Sequence, residues 1–266
     1  PSLDMEQYKK RFAGLPEHVK AAWLRGEFVE ENSLFDFSPK RDGKPYHVIT
    51  DIDIDEIVKK ARIYRVFDYG WAPDPAYCAW IAHLGNRYIV IHEKLWFKTI
   101  VADIAAEMKE IDEMLGIDRI VTTFCDPTLD IHTGHDIRTM KDIFEEHGIP
   151  MDCSINKREM FAQVVHQALN EEAEPGIPRL QIYRGWGAKP GAPYMIKAIP
   201  LQKYDIKKPL SLANQVHDHP VVALAYFLFS HSADEQRTFN QRHPKPWMRD
   251  KRTERLILGN EGVRNR

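Results

Sequence analysis

Tyr64-Arg65-Val66-Phe67-Asp68-Tyr69-Gly70 is an apolar and aromatic run that ends on a carboxylate and then meets a turn former. Two other segments carry an acid in the same way. Ile120-Val121-Thr122-Thr123-Phe124-Cys125 runs into Asp126, and Asp218 stands ahead of Pro220-Val221-Val222-Ala223-Leu224-Ala225-Tyr226. Carboxylates gathered within a few ångströms of one another repel, so the arrangement holds only if they take up protons or a divalent cation neutralises them. Hard oxygen ligands suit Mg²⁺ or Mn²⁺. The spacing therefore points to two-metal phosphoryl-transfer chemistry on nucleic acid.

Each acid also has a local reading. Asp68 before Tyr69-Gly70 is compatible with an Asx turn, and Asp126-Pro127 with the start of a turn. Asp218, in His217-Asp218-His219-Pro220, is placed to cap the helix that Pro220 opens. Capping and metal binding coexist, because a carboxylate has two oxygens. His217 and His219 are candidate auxiliary ligands or proton carriers. Asp74, Glu93 and Asp205 are further carboxylates in turn or surface contexts, and His132-Thr133-Gly134-His135 reads as a surface loop.

Working outward, β-rich runs predict strands over Tyr64 to Asp68, Tyr77 to Ala82 and Tyr88 to Glu93, with Leu84-Gly85-Asn86 as the turn between the last two. Apolar residues from Ile100 to Leu115 recur at helical spacing up to Gly116. A fourth strand runs to Asp126, a helix around Ile137 to Phe144 ends at Gly148, and Met151 to Cys153 forms a short fifth strand. Met160 to Leu169 is a third helix and Pro220 to His231 the last. Leu180 to Tyr204, rich in Gly and Pro among short extended runs, reads as a β-hairpin with a long tip. This order describes an α/β fold, a mixed central sheet flanked by helices with a hairpin insertion.

Residues 1–50 read as an amphipathic helical pair followed by a linker at Asp36 to Pro45, so that the compact domain begins near His47 to Ile63. With 266 residues and 43% hydrophobic content the chain can bury a sizeable core. No apolar run approaches the roughly 20 residues of a membrane span and no signal peptide opens the sequence, which predicts a soluble intracellular protein. Cys78, Cys125 and Cys153 are odd in number and lack a Cys-x-x-Cys pattern, arguing against a disulfide framework or zinc ribbon. The net charge of −2 conceals a division. From Gln236 to Arg266 nine Lys or Arg face three Asp or Glu, leaving the remainder strongly acidic. Such a body must bind DNA through metal ions and local basic patches. No P-loop, Rossmann fingerprint or serine-nucleophile motif occurs.

Taken jointly, Phe67-Asp68-Tyr69-Gly70-Trp71 with Asp74-Pro75, the strand ending at Asp126-Pro127, and Asp218-His219 leading into Ala223-Leu224-Ala225-Tyr226 resemble the nuclease domain of tailed-phage terminase large subunits. Upstream, Tyr8 to Pro16 and Ala22 to Phe28 resemble the segment joining the packaging ATPase to its nuclease. The resemblance covers residues 5 to 230 and implies an RNase H-like fold. Its implied organisation is a helical segment and linker over 1–50, a nuclease domain over 51–235 and a basic tail over 236–266. It implies a metal-dependent endonuclease for double-stranded DNA, with little sequence preference, acting in genome packaging in the infected host's cytoplasm. Two Mg²⁺ or Mn²⁺ ions would be held by Asp68, Asp126 and Asp218 with His219, Asp68 bridging them. Lys157, Lys189 and Lys197 are candidate DNA contacts, the last two on the hairpin. The portal and the small terminase subunit are implied partners, with the ATPase outside this chain. One position departs from the family pattern: Val222 stands where an acid often follows the histidine by three residues. Rival readings are another RNase H-like nuclease (resolvase, transposase or ribonuclease) and a non-enzymatic docking domain whose basic tail carries Trp247.

Overall fold

The structure is a computed structural model that describes residues 34–132, 138–153, 158–186, 189–205, 208–212 and 218–242. The expected N-terminal helical pair, His135, Lys157, His217 and the tail from 243 onward lie outside the described residues.

Seven strands form one sheet: β1 (Val48–Ile49), β2 (Arg62–Asp68), β3 (Ala76–Leu84), β4 (Arg87–Trp96), β5 (Ile120–Cys125), β6 (Met151–Cys153) and β7 (Leu180–Tyr183). Their spatial order is β1-β7-β4-β3-β2-β5-β6. The strand β3 pairs antiparallel with both β2 and β4, and every other pairing is parallel. Among the described residues six helices accompany the sheet: α1 (Ile54–Lys60), α2 (Val101–Met114), α3 (Met140–Glu146), α4 (Phe161–Asn170), α5 (Pro193–Ala198) and α6 (His219–Arg242). This is the RNase H-like α/β arrangement that the resemblance implies.

The central strands are buried on both faces, which is why they read as continuous apolar runs instead of alternating ones. Successive side chains of a strand leave on opposite faces. Val66 accordingly joins Phe124, Phe161, Val165 and Leu224 in one core, while Phe67 joins Trp80, Ile104, Met108 and Phe144 in the other. Helices α4, α5 and the opening turns of α6 supply the first core, and α1, α2 and α3 the second. Leu34 and Phe35 are buried in the first core as well, so packing begins well before His47.

Local signals set the helix ends. Asp53 caps α1 by accepting from the Glu56 N–H, and Thr139 and Asp142 form a reciprocal capping box at α3. After α2 the chain reverses at Gly116, φ +67, where the Ile117 N–H reaches back to the Asp112 carbonyl. Asp112 also anchors α2 to the sheet, pairing with the buried Arg65 guanidinium at 3.3 Å and accepting from Trp80 Nε1 at 2.7 Å.

The segment expected to be one long hairpin is divided differently. Leu180–Tyr183 enters the main sheet as β7 between β1 and β4. Only a short ribbon follows, Gly185–Trp186 against Lys189–Pro190. The chain then turns into α5, because Pro193 occupies its first turn and a buried carboxylate from β4 receives its N-terminal amides, as described below. The last helix extends well past His231, to Arg242. The chain from Ser230 onward falls in a second unit, whose described part is the helical stretch 230–242.

Candidate active site

The strands β2 and β5 are parallel neighbours, and the last residues to pair are Phe67 and Cys125. One residue further along each strand stand Asp68 and Asp126. The sequence places an acid at the end of each run; the parallel register sets the two ends side by side. In an open α/β sheet the carboxyl ends of parallel strands are where side chains converge on a ligand.

Helix α6 begins over this edge. The Asp218 carbonyl accepts from the Val221 and Val222 N–H groups, making Asp218 the helix N-cap, and its side chain is 9% exposed. His219 Nδ1 hydrogen-bonds Asp68 Oδ2 at 2.5 Å. Two turns later the Tyr226 hydroxyl donates to Asp126 Oδ2. His219 and Tyr226 are seven residues apart, hence on one helical face, so a single helix reaches both strand-end acids. The other oxygen of Asp126 accepts from the Thr128 N–H at 2.7 Å, capping a 3₁₀ turn, Pro127–Asp130. Asp126-Pro127 does start a turn, with the Asp126 side chain as its cap, and Asp218 stands at the N-cap position expected of it.

The loop after β2 doubles back over the site. A side chain at Gly70 would place its Cβ 2.4 Å from the Pro75 carbonyl oxygen, so only glycine admits that approach. The return brings Asp74 Oδ1 to 4.0 Å from His219 Nε2.

Charge in this corner is negative. Burial raises the Asp68 carboxyl above its ordinary value, and the charges of Asp218 and Asp126 raise it further, against the pull of His219. Burial alone would lower the His219 imidazole, but the hydrogen bond and charge of Asp68, then Asp218 and Asp74, raise it. His219 is thus drawn toward its protonated form, in which Nδ1 donates to Asp68. Tyr194, on α5, faces the same acids: burial first, then Glu93, Asp218 and Asp74, push its phenol up and keep it a neutral donor.

Glu93 is neither a turn nor a surface residue. It lies buried in β4, where its carboxylate accepts from the Tyr77 hydroxyl and the Met195 N–H, each at 3.0 Å, and from the Tyr194 N–H. Burial raises its pKa even so. Lys197 is exposed on α5, close enough for its charge to act on Glu93. Lys189 lies in the short ribbon, its side chain outside the described residues. Sequence reasoning missed Tyr226 as a partner of Asp126 and Tyr194 as a neighbour of the acids. The signal for Tyr226 was available, a polar tip seven residues after His219 on an otherwise apolar helix.

The donor set, three carboxylates and an imidazole, fits a hard divalent cation in its chemistry. Among the described residues no three acid, histidine or cysteine side chains already stand as a ready-made cage. Pairwise contacts with His219, Tyr226 and Thr128 hold the acids instead.

No protein-family model matches the sequence, and no curated protein matches it. Solved structures do. The large terminase of the thermophilic bacteriophage D6E superposes with a TM-score of 0.58 at 14% identity in one crystal form, over 84% of this chain and 51% of that one. In another form the TM-score is 0.57 at 15% identity, over 84% and 52%. The chain has the fold of part of a phage large terminase. It spans about half the length of that terminase. The nuclease domain of the phage P22 large terminase lies further away, at a TM-score of 0.49 and 11% identity over 70% of this chain and 87% of that one. Among the described residues no helix is long and apolar enough to cross a membrane.

Proposed function

We propose that this chain is the nuclease part of a terminase large subunit, an endonuclease that cuts double-stranded DNA with little sequence preference during phage genome packaging and depends on Mg²⁺ or Mn²⁺. The observation that carries the reading is the meeting of Asp68 and Asp126 at adjacent parallel strand ends, beneath a helix that opens with Asp218 and His219. In this reading residues 51–235 form the nuclease domain, and Asp68, Asp126 and Asp218, with His219, hold two ions. Bound there, such ions would supply the Lewis acid for a phosphodiester and an acidified water.

The chain's own residues prepare the site. Tyr226 and the Thr128 amide orient Asp126, and His219 holds Asp68 through its Nδ1 hydrogen bond. Lys197, Lys189 and Lys157 would meet DNA phosphates on the rim, where positive charge offsets the acidic body. The portal ring and the small terminase subunit are the partners that a packaging nuclease requires, and the host cytoplasm is where it would act.

Supercoiled plasmid incubated with Mg²⁺, Mn²⁺ or EDTA tests this directly. Divalent-dependent conversion to nicked and linear DNA, abolished in Asp68→Asn, is the expected result. Equal cleavage in chelator, or undiminished cleavage by Asp68→Asn, would overturn it.

A further inference from the structure

Strands β5 and β6 pair in parallel register at the edge of the sheet, and their last pair is Cys125 with Cys153. Residues opposite one another on neighbouring strands leave the sheet on the same face, with strands about 4.8 Å apart, inside the Cα separations that a disulfide accepts. The two sulfurs stand 3.4 Å apart, and the Asp152 carbonyl oxygen lies 3.5 Å from the Cys125 sulfur as an alternative acceptor. Only closure to a bond of about 2.05 Å separates this contact from a covalent one. Cys125 is fully buried and Cys153 is half-buried, so an oxidant meets Cys153 first. The hydrogen bond from Cys125 and then the Lys141 ammonium lower the Cys153 thiol against its burial. Cys78 stands apart: it is fully buried, and its thiol points to the neighbouring Ala79 carbonyl.

We propose that Cys125 and Cys153 form an oxidisable dithiol, closed to an intrachain disulfide by peroxides. The Cys153 sulfur attacks one peroxide oxygen and the O–O bond breaks. Cys153 becomes a sulfenic acid, and the departing hydroxide takes up the thiol proton as water. The Cys125 sulfur then attacks the sulfenic sulfur, the S–O bond breaks, and hydroxide leaves with the Cys125 proton as a second water. Two thiols lose two electrons and one hydrogen peroxide becomes two waters. The site goes beyond the nuclease reading and does not depend on it, although its effect would fall next to Asp126.

Hydrogen peroxide added to the full chain, followed by thiol titration under denaturation and a non-reducing peptide map, tests the proposal. Two of the three thiols should disappear, with the chain lighter by about 2 Da and a Cys125–Cys153 linked peptide that dithiothreitol reverses. Cys153→Ser should leave Cys125 and Cys78 both titratable under the same dose. Should that variant fail to fold, the wild-type peptide map decides alone. Persistence of three free thiols, a Cys153–Cys153 link between chains, or Cys153 advancing to sulfinic acid without a linked peptide would each overturn it.

Discussion

Replacing His219 with Gln tests the claim that a protonated imidazole stands in for metal charge at the acid cluster. The substitution keeps a polar side chain of similar reach and removes the cation, leaving Asp68 to face Asp126 and Asp218 unneutralised. Removing one partner of a fully buried ion pair costs about 3–5 kcal/mol. Both side chains here keep 14% exposure, which admits solvent screening, so we expect about 2–3 kcal/mol without metal. For a unit of this size that is about 4–12 °C in Tm. The pH dependence has a fixed sign. His219 has a raised pKa in the fold, so its contribution is complete below the ordinary histidine value and is lost as pH climbs through the raised one. Asp68 is also raised, so the fold holds its proton more tightly than the unfolded chain does, and its ionisation weighs against folding in the same direction. Metal-free wild type should lose stability as pH rises from the acid range past neutrality, and His219→Gln should lose the part of that slope lying above the ordinary histidine pKa. Mn²⁺ should stabilise both proteins, and the wild type increasingly with pH as the competing proton departs. Differential scanning fluorimetry from pH 5 to 9, with Mn²⁺ or EDTA, reads all of this. A variant within about 0.5 kcal/mol of wild type in EDTA, with an unchanged pH slope, would refute the counter-ion argument.

Tyr226→Phe keeps a ring packed edge-on against Phe161 and deletes the hydroxyl that holds Asp126. A hydrogen bond to a charged group contributes about 1.5–3 kcal/mol, so plasmid cleavage should fall roughly 10- to 100-fold, and a rate equal to wild type would show that Asp126 needs no such support. Glu93→Ala strips the acceptor from the Tyr77 hydroxyl and from two N-terminal amides of α5. A loss of about 3–4 kcal/mol by urea unfolding, with the fastest new amide exchange in Tyr194 and Met195, is expected. Gly70→Ala drives a Cβ into the Pro75 carbonyl and must shift the loop carrying Asp74. It should cost about 1–3 kcal/mol in Tm-derived stability and reduce cleavage, whereas wild-type values in both would mean that the loop adapts freely.

Much of the sheet is legible because burial writes itself into the sequence. A strand covered on both faces is apolar along most of its length, and β2, β3 and β4 stand out for that reason. Asp68 and Asp126 are legible for the complementary reason, as charges at the end of such runs. Short elements escape. Helix α1 buries only Ile54 and Val58 beside four charged residues, too thin a stripe to recognise within Asp51 to Lys60. Leu180–Tyr183 is a good strand sequence, but the Gly and Pro after it suggest a hairpin, and its membership of the main sheet comes from parallel pairing with Tyr88 to Val90, far away in the chain. Parallel register is a long-range property with no local signature, so nothing in the sequence placed Cys125 against Cys153. The same holds for Glu93, whose burial in β4 is tolerated because a helix start, itself unrecognised, supplies the donors.

Val222 shows how the departure from the terminase pattern is absorbed. It lies three residues after His219 and four before Tyr226, on the helical face that overlooks the two strand-end acids, and it is 3% exposed within the core. An acid there would add a further negative charge between Asp68 and Asp126, whose environment is already unfavourable enough to raise the Asp68 carboxyl. With valine in that place, the face offers an imidazole at one end and a hydroxyl donor at the other, and each contacts one acid. Negative charge from this helix comes instead from Asp218 at the N-cap, where the amide dipoles of the first turn favour a carboxylate. Asp218 thus stands at a position ahead of α6 where the backbone itself stabilises a carboxylate.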